Sequence, residues 1–173
     1  MDDSAILALC RSGQYDQAFS AMVEAWSEKL YWHVRSIVLD HDDADDVVQE
    51  AFVKAWNALP AFRGSSGAYT WLWRIATNEA LSFLRRKRET VTIDSLSERE
   101  GSEGVDGDKA QSLLEQALAS LPPRQRAVFS MRYYDELPYA TIASVLGVSE
   151  GSLKASYHIA EEKVRSFIED HSE

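Results

Sequence analysis

The segment from Pro60 to Arg88 concentrates aromatic and basic side chains, a combination that suits binding to single-stranded DNA. Aromatic rings stack on unpaired bases, and arginine side chains hold the neighbouring phosphates. The segment contains one acidic residue, Glu79. Its basic residues are Arg63, Arg74, Arg85, Arg86, Lys87 and Arg88. Most of its aromatic residues also recur at helical spacing, so burial in a core is the alternative explanation for each of them.

The polar loop Gly64-Ser65-Ser66-Gly67 interrupts the helical pattern inside this segment. A packed core has little use for a loop with two glycines, whereas such a loop can wrap an extruded base. We therefore expect the loop to contact a base. The four basic residues that end the segment have a simpler alternative role, because cations at a helix C-terminus also complement the helix dipole.

An acidic patch lies just upstream of the basic segment. Its acidic residues are Asp40, Asp42, Asp43, Asp45, Asp46 and Glu50. The chain has a net charge of −10, which argues against general binding to nucleic acid. The separation of the two charges along the chain suits a protein with two partners of opposite charge. Carboxylates on a helix can also hold a divalent metal, but no histidine or glutamate partner lies at a matching spacing, so a metal enzyme is a weak alternative.

The chain after Pro123 has the pattern of a helix-turn-helix motif. The spacing predicts a helix over 124–134, a second over 139–146, and a third that starts at Glu150 with Ser149 as its N-cap. The motif needs a small residue where the helices meet, a glycine in the turn, and an apolar residue that packs back on the first helix. Residues of these types stand at separations of four and six, and they are Ala143, Gly147 and Leu153. A plain three-helix bundle with a glycine turn is the alternative.

The third predicted helix of this motif would enter the major groove of duplex DNA. The candidate groove-facing residues are Ser152, Lys154, Ala155, Ser156 and His158, and the candidates for backbone contact are Arg124, Arg126 and Arg132. Phosphates would repel Glu161 and Glu162, which follow on the same helix. We therefore expect DNA contact to be confined to the first two turns.

The remaining pattern is helical as well. Apolar residues recur at three- and four-residue spacing over 19–39 and again over 48–59, which predicts two helices. Asp42 or Asp43 is the predicted N-cap of the second helix. A third helix, rich in aromatic residues, starts near Tyr69 and ends in the basic run.

These patterns predict an all-α protein with two small helical domains, an N-terminal helical bundle at residues 1–90 and a C-terminal helix-turn-helix domain at 111–173. A flexible linker is expected at residues 91–110, because this stretch is polar, acidic and contains several glycines. The stretch begins with a weak strand pattern, Val91-Thr92-Ile93.

Composition argues against several classes of protein. Cys10 is the only cysteine, which excludes an intrachain disulfide and a cysteine zinc cluster. Nothing in the pattern calls for a cofactor or a metal. No apolar run approaches the ~20 residues that a membrane span needs, and the first residues lack the basic region of a signal peptide. We therefore expect no membrane insertion and a cytoplasmic location.

Three motifs, in order along nearly the whole chain, resemble those of extracytoplasmic-function sigma factors of the sigma-70 family. They are DDVVQEAFVKAW at 45–56, FRG at 62–64 followed by YTWLWRIATN at 69–78, and LPPRQRAVF at 121–129. The helix-turn-helix pattern follows in the place that the resemblance requires. The order of the motifs is more specific than any one of them alone.

The resemblance implies a non-catalytic initiation subunit that directs RNA polymerase core to specific promoters. Residues 1–90 would bind core polymerase and the −10 element, and residues 111–173 would bind the −35 element. The implied partners are the β′ clamp helices and β flap of the polymerase, promoter DNA, and an anti-sigma factor. The residues implied for docking on the polymerase are Asp45, Asp46, Gln49, Glu50, Phe52 and Trp56.

The resemblance also implies which residues contact the promoter. Those for opening and reading the −10 element are Phe62, Arg63, Gly64, Ser65, Ser66, Tyr69, Trp71, Trp73, Arg74, Asn78, Arg85, Arg86, Lys87 and Arg88. Those for the −35 element are Arg124, Arg126, Arg132, Ser152, Lys154, Ser156 and His158. The chain departs from the family pattern in two respects: Thr141 stands where glutamate is common, and the recognition helix carries fewer cations.

A plain transcriptional regulator, with a helix-turn-helix joined to a sensing bundle, is the main alternative. It explains the C-terminal half but not the succession of acidic helix, glycine loop and aromatic-basic helix. A regulator would bind duplex DNA by itself, whereas a sigma factor of this type would need core polymerase. An anti-sigma or adaptor protein is a further alternative, against which the basic segment argues.

Overall fold

The computed structural model describes residues 1–93 and 109–172, and the regular structure of these residues is helical. The elements are α1 (Asp3–Arg11), α2 (Tyr15–Val38), α3 (His41–Ala58), a 3-10 turn (Leu59–Ala61), α4 (Ala68–Ile93), α5 (Lys109–Ala119), α6 (Pro123–Tyr133), α7 (Tyr139–Leu146) and α8 (Glu150–His171). The predicted all-α fold is thus confirmed for the described residues.

The start of α3 differs from the prediction. Asp40, not Asp42 or Asp43, is the N-cap, and its carboxylate accepts a hydrogen bond of 2.9 Å from the Asp43 N–H. The preceding helix ends in a left-handed residue, Leu39 (φ 72°), whose N–H donates to the Arg35 carbonyl. The chain therefore turns within two residues, and the first acid after the turn takes the capping position.

Small residues let α3 and α4 pack closely against α2. The buried residues of α3 are Ala44, Val47, Ala51 and Ala55, and those of α4 include Ala68, Leu72, Trp73, Ala76 and Ala80. Facing them, α2 contributes the larger side chains Met22, Trp26, Leu30, Val34 and Ile37. Large side chains opposite small ones fill the space between helices at the density of a protein interior. Removal of this apolar surface from water is the main stabilising contribution.

The C-terminal half contains the predicted helix-turn-helix. Gly147 ends α7 in a left-handed conformation (φ 69°), and Ser149 caps α8 by accepting a hydrogen bond of 3.1 Å from the Ser152 N–H. Helix α6 begins at Pro123, since proline is well suited to the first helical position. A separate apolar cluster joins α5, α6 and α8, and its buried members are Ala117, Leu118, Leu121, Phe129, Ala160 and Val164.

The two halves pack against each other, with α6 and α7 on α2 and α4. Apolar residues carry the core across this boundary, among them Ala127, Val128, Met131, Ile142, Ala143 and Val145. Arg126 is buried at the boundary, where its Nε and Nη2 donate to the Ile37 carbonyl at 2.9 and 2.6 Å. Its Nη1 donates to the Leu121 carbonyl at 3.1 Å. Burial lowers the pKa of Arg126 to about 10, so the guanidinium stays charged at neutral pH.

The predicted linker at 91–110 falls mostly on residues 94–108, which lie outside the described part of the chain. Residues 91–93 continue α4, and residues 109–110 begin α5. The weak strand pattern at Val91–Ile93 therefore belongs to a helix end. A strand needs a neighbouring strand to satisfy its backbone groups, and the described residues contain none. The division into domains at 1–90 and 111–173 stays a prediction.

We predict that Arg126→Ala lowers the free energy of unfolding by about 2 kcal/mol, because the buried carbonyls of Ile37 and Leu121 lose their donors. Chemical denaturation measures this change. Arg124→Ala is the matched control, since Arg124 is exposed and donates to the Leu146 carbonyl at 3.3 Å. Equal stability of the two variants would contradict the structural role of Arg126.

Candidate polymerase-docking face and nucleic-acid interface

One side of α3 is exposed along most of its length. We call this side the docking face, and it consists of Asp46, Gln49, Glu50, Val53 and Trp56. Their spacing of three and four residues places them on one helical face, opposite the buried alanines. The face is acidic at its start and apolar at its end. It therefore offers a partner both charge attraction and apolar contact.

The apolar end of the docking face continues into a groove between α2 and α3. Phe19 of α2 contacts Phe52 and Trp56 edge-on, with ring centroids 5.9 and 5.2 Å apart. Val53 and Trp56 are 53% and 42% exposed. Adjacent large apolar side chains with this exposure are typical of a surface that a partner covers.

Four of the six residues predicted to bind polymerase lie on the docking face: Asp46, Gln49, Glu50 and Trp56. The other two are half-buried. The Asp45 carboxylate lies 3.4 Å from Nε2 of His41, and Phe52 packs against Phe19, where it shapes the wall of the groove.

Glu79, the one acidic residue of the basic segment, links α4 to α3. Its buried carboxylate accepts hydrogen bonds from Nζ of Lys54 and, at 3.2 Å, from Nη2 of Arg86. Burial by itself would raise the pKa of Glu79, but the hydrogen bonds and charges of Lys54 and Arg86 outweigh it and lower the pKa. Lys87 pairs with Asp43 of α3 in the same way. Two of the four residues in the basic run thus pair with acids of the protein itself.

Other polar residues of the predicted −10 interface are accessible. Asn78, Arg85 and Arg88 of α4 are exposed, and so is Arg63 in the loop before α4. The Arg85 guanidinium donates to the Ser82 hydroxyl at 2.9 Å. Because residues seven positions apart lie on the same side of a helix, Asn78 and Arg85 share one face. This face is available to a ligand in the structure as it stands.

The glycine loop precedes α4 and is flanked by an aromatic pair. The rings of Phe62 and Trp71 lie 4.7 Å apart, one on each side of the loop in sequence. Gly64 adopts a left-handed conformation (φ 71°), which favours glycine. Ser65 is exposed and Ser66 is half-buried. The loop is therefore a surface feature held by packing at its base.

Tyr69 and Trp73 stack on each other with centroids 3.8 Å apart, inside a largely buried group. Trp73 is fully buried next to the ring of His33. Nε2 of His33 lies 2.7 Å from the Thr77 hydroxyl, and its Nδ1 lies 3.3 Å from the Asp135 carboxylate. Burial, and then the charge of Asp135, raises the pKa of Tyr69. Trp73 presents no surface to a base in this arrangement, so its predicted contact with DNA requires a rearrangement.

Arg74 bridges the two halves of the protein. Its Nε and Nη2 donate to the Ser144 carbonyl of α7 at 3.2 and 3.0 Å, and Nη2 also donates to the Ser144 hydroxyl at 3.0 Å. Arg126 is likewise engaged by carbonyl oxygens at the boundary. In this arrangement neither guanidinium is free for phosphate contact, and their predicted roles in DNA binding stay predictions.

The start of α8 carries the predicted groove-facing residues at its surface. Ser152, Lys154 and His158 are exposed, and Ser156 is half-buried. Nε2 of His158 lies 3.2 Å from the Glu162 carboxylate, which weakens its attraction for phosphate. The contact of Lys154 with the Tyr139 ring, at 5.6 Å, leaves its ammonium exposed.

The three arginines predicted to hold the DNA backbone near α8 are placed differently from one another. Arg124 is exposed, whereas Arg126 is buried at the boundary. Arg132 is half-buried, donates to the Leu137 carbonyl at 3.0 Å and lies over the Tyr139 ring. Arg124 is thus the most accessible of the three.

Sequence reasoning missed the polar groups that join the two halves. His33 lies in α2, Thr77 in α4 and Asp135 in the turn after α6, and no local pattern connects them. A weak signal exists for His33, which occupies a position on the apolar stripe of α2 between Leu30 and Ile37. A polar residue on such a stripe is expected to find a buried partner.

No group of three histidine, cysteine, aspartate or glutamate residues in the described part of the chain is placed to hold a metal ion. Two of the acids considered for that role have other partners, since Asp43 pairs with Lys87 and Asp45 with His41. Within residues 1–93 and 109–172, no helix combines the length and the apolar character needed to cross a membrane.

Comparison with known proteins identifies relatives over most of the chain. The family model described as Sigma-70 region 2 matches residues 22–90, and the one described as Sigma-70, region 4 matches residues 111–164. The chain is 31% identical to the RNA polymerase sigma-H factor of Pseudomonas aeruginosa, over 86% of this chain and 84% of that protein. It is 29% identical to the ECF RNA polymerase sigma factor SigW of Bacillus subtilis, over 92% and 93% of the two chains.

Solved structures with the same fold include CnrH in complex with the cytosolic domain of CnrY, with a TM-score of 0.74, 24% identity and coverage of 98% of this chain and 99% of that one. The sigma factor RpoE in complex with the anti-sigma factor NepR from Bartonella quintana also matches with a TM-score of 0.74 and 24% identity, over 87% and 96% of the two chains. These matches agree with the all-helical architecture.

The two family models match successive parts of the chain in the order of the motifs that sequence reasoning singled out. The sequence relatives extend over most of both chains, and they are sigma factors by name. This chain therefore belongs to the sigma-70 family, as an alternative sigma factor of the extracytoplasmic-function group that directs RNA polymerase to promoters.

Proposed function

We propose that three helices of this sigma factor make its separate contacts with polymerase and with the two promoter elements. The docking face of α3 binds the β′ clamp helices of core polymerase. The glycine loop and the exposed face of α4 open and read the −10 element, and the start of α8 reads the −35 element as duplex while the β flap holds the C-terminal half. The chain catalyses no reaction of its own and works in the cytoplasm as an initiation subunit.

The cluster of ion pairs between α3 and α4 is the observation that carries this proposal. Glu79 of α4 binds Lys54 of α3, and Lys87 of α4 binds Asp43 of α3. These pairs tie the docking face to the helix that follows the glycine loop. Polymerase that binds α3 therefore fixes the position of α4 over the promoter. This is what promoter opening requires, since strand separation has to occur at a defined distance from the catalytic centre.

The chemistry of the docking face supports a basic, partly apolar partner. Asp46 and Glu50 provide exposed negative charge that steers a basic surface during encounter. Trp56 provides an aromatic anchor next to the groove. Large aromatic residues in such positions contribute most of the binding free energy of many interfaces.

The −10 role requires the two halves to separate. Trp73 is buried, and Arg74 is bound to α7 through Ser144. Contact of either residue with a DNA strand requires α6 and α7 to leave α4. We propose that binding of the two halves to separate sites on polymerase provides the free energy for this separation.

We also propose that a small anti-sigma protein regulates this chain. Two proteins of the same fold were solved as complexes, CnrH with the cytosolic domain of CnrY and RpoE with the anti-sigma factor NepR. The groove beside Phe19 and Trp56 is apolar and open, and a partner in it would compete with polymerase for the docking face. We therefore expect such a protein to displace this chain from core polymerase.

In vitro transcription tests the proposed function. Purified bacterial core polymerase is incubated with a mixed genomic template, with and without the protein. We expect discrete new transcripts that need both components, and their upstream sequences define the two promoter elements. Binding of duplex DNA by the protein alone, with no transcript, would instead favour a plain transcriptional regulator.

We predict that Asp46→Arg weakens binding to core polymerase roughly tenfold, because it reverses a charge on the docking face. Affinity is measured by fluorescence titration of labelled protein with core enzyme. Asp170→Arg, the same charge reversal at the exposed end of α8, is the matched control and should bind normally. Equal affinities of the two variants would remove Asp46 from the docking surface.

We predict that Asn78→Ala reduces promoter opening several-fold and leaves polymerase affinity unchanged. Asn78 is exposed on α4 and, being uncharged, takes no part in the ion pairs that join α4 to α3. Permanganate reactivity of thymines in the −10 element measures opening. Gln116→Ala, which removes an exposed amide from α5, serves as control. Footprints that match those of the control would argue that Asn78 makes no functional contact with the strand.

A further inference from the structure

Helix α1 lies along the glycine loop, although nothing in the sequence assigns a role to its residues. Asp3, Leu7 and Arg11 are spaced four residues apart and therefore share one face of α1. Asp3 meets the end of the loop at Gly67, and the other two meet its beginning at Gly64. One face of a short helix thus contacts both glycines that bracket Ser65 and Ser66.

Asp3 supplies the cap that α4 cannot provide for itself. Gly67 occupies the N-cap position, since its carbonyl accepts the hydrogen bond of 3.1 Å from the Trp71 N–H, but glycine has no side chain with which to cap. The Asp3 carboxylate instead accepts a hydrogen bond of 2.9 Å from the Tyr69 N–H. Helix α4 has no acidic residue in its own first turn, so this carboxylate also complements the positive end of the helix dipole.

Both glycines make room for α1. A Cβ atom at Gly67 would collide with Oδ2 of Asp3, and one at Gly64 would lie 3.2 Å from both the Leu7 Cδ1 and the Arg11 Nε. Gly64 is also held at φ 71°, where side chains are strained. The close approach therefore fixes the loop at two points, three residues apart, against a rigid helix.

We propose that Asp3 is a positioning residue for the glycine loop, through which α1 sets the selectivity for the base that the loop receives. This inference rests on the proposed reading of the −10 element by that loop. A loop held at both ends keeps one shape and discriminates between bases by fit. Release of one end lets the loop adapt to any base, so that selectivity falls along with the rate of opening.

The test compares Asp3→Ala with two matched variants. Asp3→Asn keeps an acceptor for the Tyr69 N–H and removes the charge. Asp2→Asn removes the same charge one residue away. The Asp2 carboxylate caps α1 by accepting a hydrogen bond of 2.9 Å from the Ala5 N–H, and asparagine can take over this capping role. Each protein is bound to core polymerase on a promoter recovered by transcription with the unchanged chain, and on versions with each base substituted in the −10 element.

We expect Asp3→Ala to lower permanganate-detected opening about fivefold, the change that corresponds to loss of one helix cap. We also expect the difference between preferred and substituted bases at one −10 position to shrink by a similar factor. Affinity for core polymerase and selectivity at the −35 element should not change. Asp3→Asn should keep most of the base selectivity, and Asp2→Asn should keep all of it.

Gly67→Ala provides an independent route to the same effect, because its methyl group displaces the Asp3 carboxylate without removing it. We expect the same loss of selectivity, and we expect little further loss when Asp3→Ala is added, since both changes break one contact. This variant decides the question if Asp3→Ala fails to fold.

Three results would overturn the inference. Unchanged base selectivity in Asp3→Ala and Gly67→Ala, with active wild-type protein, would reject the positioning role and leave the sigma function intact. A uniform loss of opening on all promoter versions would reduce Asp3 to a stabilising cap. Absence of any transcript with the unchanged chain and core polymerase would instead reject the proposed function itself, and this inference with it.

Discussion

Helix α4 has to fill a core on one side and keep polar side chains at the surface on another, and the arrangement of the N-terminal half follows from this constraint. Its small buried residues, such as Ala76 and Ala80, let α2 and α3 approach closely. Its polar residues, such as Asn78, remain exposed on another side. A helix packed this tightly cannot shift to follow a ligand. Its accessible face therefore keeps a fixed orientation relative to the docking face, which the ion pairs Glu79–Lys54 and Lys87–Asp43 between α4 and α3 reinforce.

The helices could be predicted because their apolar spacing and their end signals are local. Helix α7 occupies the predicted residues, since Pro138 and Gly147 limit it on both sides. The start of α3 could not be predicted to the residue, because Asp40, Asp42 and Asp43 are all competent caps. The turn at Leu39 decides among them, and a left-handed leucine has no signature in sequence.

The candidate site could be predicted as a set of residue types but not as a set of accessible side chains. Arg74 and Arg126 have the chemistry of phosphate contacts, yet backbone carbonyls of distant segments accept their hydrogen bonds. The partner of Arg74 lies 70 residues away in the chain, and that of Arg126 lies 89 residues away from it, so no local pattern reports them. The same applies to Asp3, whose contact with Tyr69 spans 66 residues.

The burial of Arg126 between the halves has a thermodynamic consequence for every partner that needs them apart. The apparent dissociation constant of such a partner equals its intrinsic constant divided by the fraction of molecules whose halves are separated. If about one molecule in a hundred is separated, the affinity of the partner falls about 100-fold. A second partner on the other half then binds a molecule that is already open. Two ligands that never touch each other thereby become positively cooperative, and the free chain responds to their joint presence rather than to either one.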